Sequence, residues 1–143
     1  MDYLFPFHPR LVHYPIALCL TGVLFLAIGL IRSQERWIWY GRLSLILGWA
    51  SAIVAALAGL VDQSRAPDLP AIASAINQHI TVGIALIIVF GFALYLPLRD
   101  KRYLADTSQR WIYIALLLLG AGLVLLEGWL GGKLVYEMGV GVR

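Results

Sequence analysis

Four long apolar runs limit what this chain can fold into. They lie at about 11–31, 38–61, 79–97 and 111–130, and the hydrophobic share of the chain is 61% against a charged share of 13%. A hydrocarbon core of about 30 Å needs about 20 apolar helical residues to cross it. We therefore predict a single all-α domain over residues 1–143, built as a four-transmembrane-helix up-down bundle with a tail at 131–143.

The orientation prediction comes from the placement of cations in the connections, because cytoplasmic loops of membrane proteins carry the excess of Lys and Arg. One side holds seven cations, and the other side holds four: Arg32, Arg36, Arg42, Arg99, Lys101, Arg102 and Arg110 against Arg10, Arg65, Lys133 and Arg143. We expect the first side in the cytoplasm, which puts both termini on the extracytoplasmic side. The expected surroundings are a lipid bilayer, and nothing in the composition supports a nucleic-acid partner.

Five ionisable residues fall near one level of this predicted bundle, at its extracytoplasmic end. They are His8 and His13 at the start of span one, Asp62 at the end of span two, His79 at the start of span three, and Glu127 near the end of span four. Ionisable groups within membrane spans are expensive, face the bundle interior or a cavity, and mark functional sites. This end of the bundle is therefore the candidate site.

The spans also resemble two copies of one helical hairpin. His13, Arg32, Arg36-Trp37 and Gly59 follow one another in the same order as His79, Arg99, Arg110-Trp111 and Gly131 or Gly132. His13 and His79 match, and each has a small residue one helical turn later, Ala17 and Gly83. Two imidazoles on diagonal helices suit the axial positions of a haem iron, with the small residues giving the macrocycle room. The leading prediction is a small b-type cytochrome-like protein that transfers electrons through haem b.

Two alternatives stay open beside haem. The second hypothesis is a zinc or copper ion held by His8, His13, His79 and Asp62. In another version of this site, Asp62 or Glu127 is not a ligand and accepts a hydrogen bond from a ligand imidazole. The third is a non-catalytic accessory subunit of a larger membrane complex. Expected partners are accordingly a redox protein, such a complex or a second copy of the chain. Because no serine or cysteine is placed for activation by His13 or His79, we expect a carrier or accessory protein and not a hydrolase.

The chain resembles a known bacterial membrane-protein family, domain of unknown function 2231 (DUF2231). The resemblance covers essentially the whole chain and rests on four segments: His8-Pro9 to His13-Tyr14-Pro15-Ile16-Ala17-Leu18, Ala58-Gly59-Leu60-Val61-Asp62, His79, and Gly131-Gly132-Lys133-Leu134-Val135-Tyr136 through Gly139-Val140-Gly141-Val142. Tyr14 and Lys133 depart from the family pattern. The resemblance implies a four-span protein of the bacterial inner membrane, with signature residues at His8, His13, Asp62, His79, Gly131 and Gly132.

Overall fold

The computed structural model describes residues 7–63 and 69–140, and the regular structure within these ranges is helical. The described residues form six helices: α1 His8–Leu11, α2 His13–Arg32, α3 Glu35–Gln63, α4 Pro70–Arg99, α5 Arg102–Ala105 and α6 Thr107–Tyr136. The cations Arg65 and Arg143, which entered the orientation argument, lie outside the described residues.

Four segments are long and apolar enough to cross a membrane, namely His8–Arg32, which joins α1 to α2, and then α3, α4 and α6. This confirms the all-α, four-span prediction. With 29 or 30 residues each, α3, α4 and α6 are about 45 Å long, so about 15 Å of each extends beyond a 30 Å hydrocarbon core. The helices therefore exceed the apolar runs, since hydropathy marks only the lipid-embedded part of a helix.

Helix α6 continues through the glycine pair at which we expected span four to end. Gly131 and Gly132 are helical, and α6 ends at Tyr136. Glycine lowers helix stability by only about 1 kcal/mol, so packing against the bundle holds this turn in the helix. Among the described glycines, the left-handed conformation that favours glycine occurs at Gly139, with φ of 68°.

The four long helices form a ring in which each packs on two others. α2 packs most extensively on α3 and α4 on α6, while contacts of α2 with α6 and of α3 with α4 close the ring. The α2–α3 backbones touch, because a Cβ on Gly41 would lie 2.6 Å from Leu26 N and one on Gly48 would lie 2.8 Å from Cys19 N. Small residues permit such close approach in membranes. α2 and α4 lie on a diagonal of this ring.

One buried hydrogen bond joins α4 to α6 where a proline interrupts α4. Pro97 has no N–H, so the carbonyl of Ala93, four residues earlier, lacks its helical donor. The hydroxyl of Tyr113 on α6 donates to that carbonyl at 2.9 Å. Tyr113 is fully buried, so the bond satisfies both groups in a place without water.

At the end of the bundle that carries the α2–α3 turn and α5, Arg110 donates hydrogen bonds to the ends of two helices. Arg110 donates through Nη1 to the Leu30 carbonyl at 3.0 Å and to Ser33 Oγ at 3.2 Å. Nη2 donates to the carbonyls of Leu104 at 3.3 Å and Ala105 at 3.1 Å. These carbonyls belong to the last turns of α2 and α5, where intrahelical donors run out and a cation is favoured. We call this the arginine end.

The opposite end, which we call the histidine end, carries the start of the first span. α1 is a single four-residue turn, and Val12 separates it from α2. Pro15 has no N–H to donate to the carbonyl of Leu11, four residues earlier. Val12 keeps α-helical torsions, and helical hydrogen bonds run from Val12 N to the His8 carbonyl and from Ile16 N to the Val12 carbonyl. α1 therefore continues into α2 almost as one helix.

Candidate functional site

His8 is fixed to the end of α3 by its backbone and by its ring. Its backbone N–H donates to Asp62 Oδ2 at 2.9 Å, which caps α1, because the N-cap residue Phe7 supplies no side-chain hydrogen bond. Its ring Nδ1 lies 2.7 Å from the carbonyl oxygen of Ala55. A carbonyl only accepts, so Nδ1 is the donor and carries the hydrogen.

His79 on α4 meets His8 inside the bundle. The two Nε2 atoms are 3.4 Å apart, and the rings cross at 85° with their centroids separated by 5.6 Å. An N–H···N hydrogen bond is usually shorter, about 2.7 to 3.2 Å for nitrogen donors. The two imidazoles therefore face each other edge to edge without a well-formed bond between them.

Glu127 on α6 lies behind the His79 ring, on the side away from His8. Its Oε1 is 3.2 Å from His79 Nδ1, and the two side chains are 20% and 13% exposed. This is an ion-pair distance, but the two atoms are off the line of a hydrogen bond. Among the described residues, His79 Nδ1 and Glu127 Oε2 are buried without a hydrogen-bond partner, an arrangement that costs several kcal/mol unless a charge compensates it.

Three glycines make room for these three side chains. A Cβ on Gly59 would lie 3.0 Å from His8 Nδ1, one on Gly83 would lie 2.9 Å from Glu127 Oε1, and one on Gly131 would lie 3.3 Å from His79 Cε1. Each of these separations is shorter than ordinary van der Waals contact. We call His8, His79 and Glu127 the histidine cluster, and the glycines are the walls against which it packs.

The histidine cluster lies below the ends of the helices. Ala55 is eight residues before the end of α3, His79 is nine residues after the start of α4, and Glu127 is nine residues before the end of α6. These offsets are ~12–14 Å along the helix axis. His79 begins the apolar run at about 79–97, and Glu127 lies three residues before the end of the run at about 111–130. The cluster therefore lies near the apolar boundary.

The structure pairs His79 with His8 and not with His13, the partner that the haem prediction assigned to it. His13 and Ala17 are exposed on α2, and the ring of His8 contacts both Ala55 and His79. The physical reason is the spacing of the two histidines, because five residues turn about 140° around a helix and leave only one of the two rings facing the bundle.

Of the other predicted site residues, Gly83 and Asp62 have different partners from those expected, and Glu127 lies where it was expected. Gly83, predicted to give a macrocycle room, gives it to the Glu127 carboxylate. Asp62 accepts from the backbone of His8 and not from an imidazole. Glu127 does lie beside a ring nitrogen of His79, the position predicted for a carboxylate that orients a ligand.

Sequence reasoning did not assign the Ala55 carbonyl, Gly59 or Gly131 to the site. A backbone carbonyl has no sequence signature. Gly59 and Gly131, however, hold matching places in the two hairpins, and in the structure each packs against a histidine at the same end of the bundle. The spacing from glycine to histidine was the signal for pairing His8 with His79.

Comparison with known proteins gives one match. The family model described as predicted membrane protein (DUF2231) matches residues 4–143. No curated protein and no solved structure matches the chain.

Proposed function

Because the chain belongs to the DUF2231 family of predicted membrane proteins, we propose from the histidine cluster that this integral membrane protein binds a transition-metal ion between His8 Nε2 and His79 Nε2. One observation carries the proposal. Each ring has an oxygen beside its Nδ1, from Ala55 or from Glu127, and this leaves the two Nε2 atoms facing each other.

That arrangement is typical of metal-ligating histidines. Such a histidine almost always presents its second ring nitrogen to a carboxylate, a backbone carbonyl or water, which fixes the tautomer and the ring orientation. His8 presents Nδ1 to a carbonyl, and in the neutral ring this leaves the Nε2 lone pair free. His79 presents Nδ1 to the Glu127 carboxylate. Each of the two rings therefore has an oxygen at Nδ1, as metal-ligating histidines do when they bind through Nε2.

The charge of the cluster also favours a cation. Among the described residues, the ion-pair partner of Glu127 is the imidazole of His79, which carries no charge when it is neutral. A bound divalent ion would place positive charge one ring away from the buried carboxylate and offset its desolvation.

The same geometry favours a single ion over haem. Axial ligands of a haem iron lie on opposite faces of a macrocycle, about 4 Å apart for bonds of about 2 Å. His8 and His79 are closer than this, and the Glu127 carboxylate fills the space beside Gly83. Haem between His13 and His79 stays a prediction, which requires the exposed His13 to turn into the bundle.

We place the histidine end on the extracytoplasmic side of a bacterial inner membrane. The support is the charge at the arginine end, where the described residues include a set of exposed cations, namely Arg32, Arg36, Arg99, Lys101 and Arg102. Positive charge of this kind favours the cytoplasm. The redox protein, the larger complex and the second copy of the chain stay predictions as partners.

The test is metal retention by the purified protein. The detergent-solubilised chain is loaded with zinc or with copper, desalted, and analysed for metal by mass spectrometry. We expect about one ion per chain, lost in His8→Gln and in His79→Gln but kept in His13→Gln, with size-exclusion profiles and helical circular dichroism unchanged.

Failure of the wild-type chain to retain either ion would contradict the proposal, and so would loss of the ion in His13→Gln alone. An absorption spectrum on the same samples tests the competing prediction. A haem band that disappears in His13→Gln and His79→Gln would favour haem.

A further inference from the structure

We infer that a groove on the outside of the bundle, between α4 and α6 at the histidine end, binds the headgroup of an anionic phospholipid. The groove has a volume of about 790 Å³, within the range of about 300 to 1,000 Å³ that is usual for ligand sites. We call it the α4–α6 groove. Its walls include Ser74, Asn77, Gln78 and Thr81 of α4 and Leu126 and Trp129 of α6.

The α4–α6 groove faces away from the histidine cluster. Asn77 and Thr81 stand two residues before and two residues after His79, and two residues turn about 200° around a helix, which is nearly its opposite side. Both side chains are exposed, as is Trp129 on the other wall. The groove therefore opens towards the lipid that surrounds the four long helices, and a phospholipid reaches it without entering the bundle.

The polarity of the groove changes along its length as the polarity of a phospholipid does. On α4, Ser74, Asn77 and Gln78 precede the apolar run that starts at about residue 79, and Val82 lies within that run. On α6, Leu126 lies within the run that ends at about residue 130. In a bilayer, the polar part of the groove therefore lies at the level of the headgroups and the apolar part at the level of the acyl chains.

A positive charge stands beside the polar part of the groove. The ammonium of Lys133 lies 5.7 Å from the ring centroid of Trp129, and the described residues that line the groove include no acidic side chain. The exposed Glu137 lies one turn beyond Lys133, just after the end of α6. A Lys or Arg near the membrane surface raises the affinity for an anionic lipid about fivefold, so we assign the phosphate of the lipid to Lys133.

The surroundings of Lys133 favour an anionic headgroup over a zwitterionic one. Choline and ethanolamine headgroups carry a cation of the kind that aromatic faces bind, but the ammonium of Lys133 already lies over the ring of Trp129 and would repel a second cation. The amides of Asn77 and Gln78 both donate and accept hydrogen bonds. They therefore suit the phosphate oxygens and the hydroxyl groups of a phosphatidylglycerol headgroup.

Quenching of Trp129 by brominated lipids tests the inference, because bromine on an acyl chain quenches the fluorescence of a tryptophan that it touches. Of the five tryptophans of the chain, Trp129 is the one at the histidine end, since Trp37, Trp39 and Trp111 lie at the arginine end and Trp49 lies midway along α3. The contribution of Trp129 is the difference in fluorescence between each chain and the same chain with Trp129→Phe.

The full chain is placed in phosphatidylcholine nanodiscs that contain a minor fraction of brominated phosphatidylglycerol, or the same fraction of brominated phosphatidylcholine. We expect phosphatidylglycerol to be enriched about fivefold at Trp129 and the enrichment to be lost in Lys133→Gln. Lys133→Arg should keep it, and so should Lys101→Gln, the matched substitution of an exposed lysine at the arginine end. Circular dichroism checks that each variant is folded.

Three outcomes would overturn the inference. Equal quenching by the two lipids would show ordinary lipid contact without selection of the headgroup. Enrichment that persists in Lys133→Gln would place the anionic lipid elsewhere, and protection of Trp129 from both lipids would show that protein covers the groove. Because this measurement uses no metal ion, its failure and the failure of the proposed function are distinguishable.

Discussion

The two ends of the bundle differ in the hydrogen-bond partners of their buried polar atoms. At the arginine end, the Arg110 guanidinium donates four hydrogen bonds to the ends of α2, α5 and the turn between α2 and α3. At the histidine end, nitrogen and carboxylate atoms of His79 and Glu127 are buried without hydrogen-bond partners among the described residues. At the arginine end, too, one atom of the described residues, Arg110 Nε, is buried without a hydrogen-bond partner, but both terminal nitrogens of the same guanidinium are paired. The two ends therefore differ in degree, and this difference supports the proposal that the histidine end binds an ion.

We expect the largest loss of stability from a substitution at the arginine end. Arg110→Gln removes a charged donor shared by three carbonyls, and hydrogen bonds to charged groups contribute about 1.5 to 3 kcal/mol each. We expect the free energy of unfolding to fall by about 3 kcal/mol, measured by denaturant titration in detergent micelles. Zinc affinity should be unchanged, and a loss of zinc affinity would show that the two ends are coupled.

Zinc should stabilise the protein through the histidine end almost as strongly. An ion between His8, which is fixed to α3, and His79, on α4, joins the two hairpins. A ligand at 100 times its dissociation constant stabilises the folded state by about 2.7 kcal/mol. We expect this gain in thermal unfolding of the wild type and of Arg110→Gln but not of His79→Gln. The same gain in His79→Gln would place the ion elsewhere.

Enlarging a glycine wall should weaken the site without damage to the arginine end. In Gly59→Ala the new Cβ lies 3.0 Å from His8 Nδ1 and displaces the ring from the Ala55 carbonyl. We expect zinc affinity to fall about 10- to 100-fold, the range measured when contacts that orient a ligand are removed. Gly128→Ala is the matched control on α6, because its nearest neighbour would be 3.9 Å away. Equal losses in the two variants would show that alanine perturbs helix packing generally.

Glu127→Gln should have a smaller effect, about tenfold in zinc affinity, because an amide oxygen can still lie beside His79 Nδ1 while the carboxylate charge is lost. Isothermal titration of zinc into the variant and the wild type measures this difference. Glu127→Leu, which removes the acceptor as well, should bind more weakly than Glu127→Gln. A variant that binds zinc as tightly as the wild type would remove Glu127 from the site.

The smallest effect is expected at an exposed ion pair of the arginine end. The Arg102 guanidinium, 2.7 Å from Asp100 Oδ2, and the Arg102 backbone N–H lower the pKa of the Asp100 carboxyl. A depressed pKa stabilises the folded state above the ordinary pKa of the carboxyl, and the contribution is lost as the pH falls through the folded value. Since the pair is exposed, Asp100→Asn should leave the melting temperature at pH 7 unchanged within error. A clear drop in the melting temperature of Asp100→Asn at pH 7 that vanishes in acid would show that the Asp100–Arg102 pair contributes to stability.

The fold followed from the sequence more fully than the site did. Four apolar runs of sufficient length determined the number of spans, because a bilayer requires them whatever their side chains pack against. The helix ends did not follow, since polar residues such as Ser74, Asn77 and Gln78 of α4 carry little hydropathy signal. The role of Arg110 was hidden too, because it depends on where the last turns of α2 and α5 meet in space.

At the site, the residue types and the end of the bundle were predictable, and the pairing was not. His13 matches His79 in distance to the arginine that closes its span, 19 residues against 20, and that spacing favoured His13. Gly59 follows His8 by 51 residues and Gly131 follows His79 by 52, and this second spacing corresponds to the contacts in the structure. Choosing between the two spacings requires knowing which face of the first span turns inward, because His8 and His13 lie about 140° apart around the helix.

X-ray absorption at the zinc edge of the zinc-loaded protein tests whether His8 and His79 share one ion. Imidazole ligands give a characteristic outer-shell scattering from which their number is counted. We predict two imidazoles per zinc with nitrogen at about 2.0 to 2.1 Å, one imidazole in any zinc that His8→Gln retains under excess metal, and two in His13→Gln. A spectrum without imidazole scattering, or one that changes in His13→Gln and not in His8→Gln, would contradict the account.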